Sequence, residues 1–79
     1  MEQLATFHTH FGALSFHKKL TALGDSPVMM PVPRKLSASC GTCVRFARPF
    51  DQAAMADEDL EAVYACEAGG YRLLFQNEE

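Results

Sequence analysis

From Glu2 to His8 the apolar positions fall on both sides of an alternating stretch, with Ala5 and Phe7 on one side and Leu4 and Thr6 on the other. That pattern predicts an inner strand with both faces covered. Thr9 is a hydroxyl N-cap, and His10 to Leu23 changes to helical spacing through Ala13, Phe16, Leu20 and Leu23. Lys18 and Lys19 complement the dipole near the C-terminal end, and Gly24 stands where a C′ residue belongs. Val28, Met30 and Val32 then alternate with Met29, Pro31 and Pro33. A proline cannot donate to a ladder, so this strand is expected at a sheet edge.

After a loop from Arg34 to Gly41, the run Thr42-Cys43-Val44-Arg45-Phe46-Ala47 alternates again. Thr42, Val44 and Phe46 are expected on the core face, with Cys43 and Arg45 opposite. Leu60, Val63 and Tyr64 share a helical stripe behind Asp57, Glu58 and Asp59, which predicts a second helix over about Asp57 to Ala68, with Asp51 to Ala56 a loop or an early turn. Gly69-Gly70 reads as its stop, and Tyr71, Leu73 and Phe75 alternate in a last strand.

Strand, helix, strand, strand, helix, strand is the order of a ferredoxin-like βαββαβ two-layer sandwich, an α+β fold whose four-stranded antiparallel sheet carries two helices on one face. Its other face would be open, with Leu4, Cys43, Ala47 and Leu74 as exposed apolar surface, so a homodimer or a hetero-partner is expected there. An alternative topology, with the second helix between the middle strands, requires helix from Leu36 to Gly41.

Composition narrows the function classes. Seventy-nine residues, 48% hydrophobic and 22% charged, make one small globular domain over 1–79. No segment is apolar for long enough to span a bilayer, no signal-peptide pattern opens the chain, and three unevenly spaced cysteines suit a reducing compartment, so a cytoplasmic protein without a membrane partner is expected. The net charge of −3 conceals an acidic last third, and the few cations at the centre are too sparse to track nucleic acid. No Gly-rich phosphate loop, Ser-His-Asp set or carboxylate pair argues for an enzyme, and no cofactor is expected.

The candidate chemistry lies in Pro31 to Arg48. This stretch holds Cys40, Cys43 and four of the seven cations, Arg34, Lys35, Arg45 and Arg48, without one acid. Such a field favours the reactive thiolate. Cys40 combines it with a loop position beside Gly41, which allows a tight turn, and Ser37 and Ser39 are potential donors to the sulfur. The expected order of alkylation is Cys40, then Cys43, then Cys66 among its acids.

The signature Pro-Val-Pro-Arg, Ser-Ala-Ser-Cys-Gly and Val-Arg-Phe within Pro31 to Phe46, preceded by Thr6-Phe7-His8-Thr9-His10, resembles the selenium/sulfur carrier-like family of small bacterial and archaeal proteins. The resemblance covers nearly the whole chain. It implies a carrier role for the Cys of Cys-Gly, here Cys40, as a persulfide or selenopersulfide assisted by Arg34, Lys35 and Arg45, with sulfur or selenium donor and acceptor proteins as partners. Cys43 departs from the family, which has a small or aliphatic residue there, and the connection from Ala47 to Ala56 is longer.

Other readings remain beside this one. A small binding or regulatory module would leave the cysteines structural, and Cys40-Gly-Thr-Cys43 could form a dithiol redox switch with Cys43 as the resolving thiol. Against the switch, Val44-Arg45-Phe46 reads as strand, so no helix dipole activates the first thiol. A metal site is not expected, because tetrahedral zinc needs four convergent ligands and the cysteines lack a second paired knuckle. His8, His10 and His17 read as structural, as do Cys66 and the methionines.

Overall fold

The computed structural model describes residues 2–77. Its elements are β1 (Gln3–Phe7), α1 (His10–Ala22), β2 (Val28–Pro31), β3 (Thr42–Phe46), α2 (Gln52–Met55), β4 (Leu60–Glu67) and β5 (Gly70–Gln76). The strands form one antiparallel sheet in the order β2-β3-β1-β4-β5. The α+β class stands, but the sheet has five strands rather than four. The edge position expected of the double-proline strand is observed, since β2 pairs with β3 alone.

Helix α1 begins as its sequence dictates. The Thr9 hydroxyl accepts from the Gly12 N–H at 3.1 Å and donates to the Asp59 carboxylate. Gly12 is what lets the 57–59 turn come this close, because a Cβ there would collide with the Asp59 side chain. At the other end Gly24 adopts φ 92° and the chain reverses. Ala13, Phe16 and Leu20 form the buried stripe, and the Phe16 ring lies 5.1 Å from Phe7 and 5.4 Å from Phe46 between centroids. Together with Ala5, Val44, Met55, Leu60 and Val63 they make the core on one face of the sheet. Burying one such ring stabilises by about 1.5–3 kcal/mol.

The helix expected over Asp57 to Ala68 is a strand. Every residue of β1 is buried, and with β3 on only one side its other edge would leave unpaired peptide groups in the interior. β4 satisfies them, Ala5 facing Val63 and Thr6 facing Ala62. The glycine pair is accordingly a hairpin: Glu67 faces Gly70 across a turn at Ala68 and Gly69, and Gly70 takes φ 150°. After β3 the described helix is the short α2, where Asp51 accepts from the Ala53 N–H at 3.1 Å and Met55 enters the α1-side core. Residues 36–41 contain no helix, which removes the alternative topology.

The second face of the sheet is not left open. Strand alternation puts Leu4, Thr6, Cys43 and Ala62 there, yet all four are at most 2% exposed. The chain after β2 accounts for this. Its base is closed by the Val32 N–H on the Gly41 carbonyl at 3.1 Å, Pro33 to Lys35 lie beside Leu4 and Arg45, and Ser39 reaches Glu61 of β4. Of the four residues expected as exposed apolar surface, only Ala47 and Leu74 are exposed. The largest exposed apolar side chains include Phe11 and Leu14, on the outer side of α1.

Candidate functional site

Cys40 lies where the crossing loop returns to β3, and it is half-buried. The peptide N–H of Thr42 donates to its Sγ at 3.4 Å. This contact fixes the sulfur against the strand backbone without needing a flexible side chain. The space beside Gly41 is empty of other atoms. The chain bends at 39–41 without a positive φ at Gly41, so what the glycine contributes there is open space.

Three polar side chains gather around this turn. His10 Nδ1 is 3.2 Å from the Thr42 hydroxyl, and Glu61 accepts from the Ser39 N–H at 3.1 Å and the Ser39 hydroxyl at 2.8 Å. Glu61 also lies 3.6 Å from His8 Nδ1. It can do so because β4 bulges against β1: Thr6 faces Ala62 while Phe7 faces Leu60, so Glu61 is the extra residue. Bulges re-aim a side chain in this manner. In the sequence His8 and His10 read as structural and Glu61 as part of a helix. The spacing His8-x-His10 was visible, but the bulge that brings Glu61 to Ser39 arises from pairing with a strand more than fifty residues away.

Cys43 has a different setting. It is fully buried, its thiol donates to the Pro31 carbonyl at 3.6 Å, and burial, reinforced by the neighbouring Cys66 and Cys40, pushes its pKa up to about 11. Arg34, Lys35 and Arg45 gather at the opposite end of this face, in a cleft of about 400 Å³ that contains Cys66 and does not include Cys40. Burial, together with Glu2, raises the Cys66 pKa against the opposing pull of Arg45. Arg48 is structural. Its guanidinium donates to the Leu23 carbonyl at 2.9 Å and its N–H to Asp25 at 3.2 Å, tying the chain after β3 to the end of α1.

These features define a small α+β protein with one accessible loop cysteine held against a strand backbone. The family model described as "Putative Se/S carrier protein-like" matches residues 2–63, and the chain belongs to that family. The match ends within β4, before Cys66 and Tyr71. No curated protein and no solved structure matches the chain significantly. Among the described residues no helix is long and apolar enough to cross a membrane.

Proposed function

We propose that the protein carries sulfur or selenium on Cys40 and passes it between a donor and an acceptor protein in the cytoplasm, with no turnover of its own. The Cys40 thiolate attacks the outer sulfur of a donor persulfide, the donor's S–S bond breaks, and the donor cysteine leaves as a thiolate. Cys40 then holds the persulfide. An acceptor thiolate attacks the terminal atom in turn, and Cys40 departs as a thiolate, so each step exchanges one S–S bond for another with no net oxidation. Selenium would travel as the terminal atom of the same exchange.

The observation that carries this reading is the Thr42 N–H aimed at the sulfur of a cysteine on an accessible turn. The open space beside Gly41 leaves that sulfur reachable by a partner's thiol, and access is one of the factors that govern thiol exchange. His8 and His10 belong to the polar cluster beside this turn, His10 through the Thr42 hydroxyl and His8 through Glu61. A Cys40–Cys43 switch is less well supported, because Cys43 is sealed and holds its proton up to about 11.

Incubation with cysteine and a cysteine desulfurase, followed by peptide mass spectrometry, tests the reading. One added sulfur on the Cys40 peptide is expected, lost in Cys40→Ser and kept in Cys66→Ser. A Cys40→Ser protein that still loads in full, or a wild-type protein that forms only a Cys40–Cys43 disulfide, would overturn it.

A further inference from the structure

A cleft of about 400 Å³ lies at the far end of the loop-covered face. Its lining brings Met30, Pro33 and Tyr71 together with Arg34, Lys35 and Arg45. Two carboxylates also reach it, but both are engaged: Glu2 lies 3.4 Å from Arg45, and Glu67 accepts from Arg72 at 2.7 Å. Arg34 and Lys35 have no carboxylate partner among the described residues. Of the three cations that line the cleft, Arg34 and Lys35 are therefore the two not engaged by a carboxylate among the described residues. Arg34 and Lys35 are adjacent on the loop, and the Leu36 N–H on the Pro33 carbonyl at 3.0 Å closes a turn around them. Their backbone is thus held before any ligand arrives, which lowers the ordering cost of binding.

We infer that this cleft binds a small amphipathic organic anion, a carboxylate or phosphate monoester head held by Arg34 and Lys35 with a compact apolar group against Met30 and Tyr71. The guanidinium fork suits the two oxygens of such a head, and 400 Å³ admits a ligand the size of a substituted benzene ring. The inference is independent of sulfur loading on Cys40, because Cys40 does not line the cleft.

Cys66 lines it and serves as a built-in reporter. Phenyl phosphate and 3-phenylpropionate are added separately during alkylation by limiting iodoacetamide, with inorganic phosphate and 3-phenylpropanol as controls. Saturable protection of Cys66 is expected from one or both of the amphipathic anions, with the Cys40 rate unchanged. Which of the two protects better assigns the head group. Arg34→Ala/Lys35→Ala is expected to weaken the protection about tenfold, the equivalent of about 1.4 kcal/mol, while an unaltered circular dichroism spectrum and urea midpoint report an intact fold. Tyr71→Ala should weaken it as well. The inference is overturned if neither anion protects Cys66, if inorganic phosphate or the neutral alcohol protects equally well, or if the double variant still binds with undiminished affinity.

Discussion

Cys40 and Cys43 are separated by two residues and differ in almost everything that governs a thiol. Cys40 sits on a turn with a peptide N–H on its sulfur, and Cys43 points into the layer between sheet and loop. Alkylation near neutral pH is therefore expected in the order Cys40, Cys66, Cys43, where the sequence alone had placed Cys43 second. The raised Cys43 pKa also makes stability depend on pH. Below about pH 9 both folded and unfolded chains keep this proton. Between about 9 and 11 the unfolded chain loses it while the folded chain does not, so stability falls with rising pH across that window. Two units at about 1.36 kcal/mol each make the loss about 2–3 kcal/mol. Urea unfolding at the two ends of the window should show this fall in the wild type and a smaller one in Cys43→Ala. Equal falls in both proteins would show that Cys43 is not the group responsible.

Among the elements, β4 is the one whose nature local pattern misjudged. Leu60, Val63 and Tyr64 keep helical spacing partly because the bulge at Glu61 interrupts the period of two. Alternation survives in the pairs with β1, where Ala62 and Tyr64 take one face and Val63 and Ala65 the other. The same bulge connects element to site, because Glu61 holds Ser39 next to Cys40 through two hydrogen bonds. Glu61→Ala is expected to release this end of the loop. Amide exchange at residues 37–41 should accelerate about tenfold and Cys40 alkylation should speed up, while global stability changes by less than about 1 kcal/mol, since the broken contacts are largely exposed. Unchanged exchange in the loop would mean that its base, closed by Val32 and Gly41, holds it without Glu61.

At the scale of the molecule, α1 covers one face of the sheet, the crossing loop covers the other, and β5 protects β4. The family match stops before β5, yet β5 is integral to this chain: Phe75 packs 5.3 Å from Phe50, and Asn77 bonds back to the Leu60 carbonyl at 3.1 Å. Truncation after Ala68 would leave β4 as a bare edge beside a thin core. The shortened chain is expected to lose its cooperative denaturant transition and to aggregate, as circular dichroism and light scattering would show. A truncated chain that unfolds cooperatively at the wild-type midpoint would contradict this account of β5.

Before any contact was known, the chain's local chemistry determined where β1, α1, β2, β3 and β5 lie, that the double-proline strand is an edge, and that Cys40 sits in an accessible loop. Each of these depends on information within a few adjacent residues: a period, a cap, a missing N–H. Tertiary structure decided that Leu60 to Glu67 is strand, because a fully buried β1 needs a partner on its second edge. It also decided that the loop closes the sheet's open face. With that closure Cys43 is buried, Arg34, Lys35 and Arg45 line one cleft with Cys66, and His8, His10 and Glu61 come to the turn that holds Cys40. None of these follows from spacing, since each is set by which distant segment lies across the sheet, and that is a matter of burial and backbone pairing summed over the whole chain.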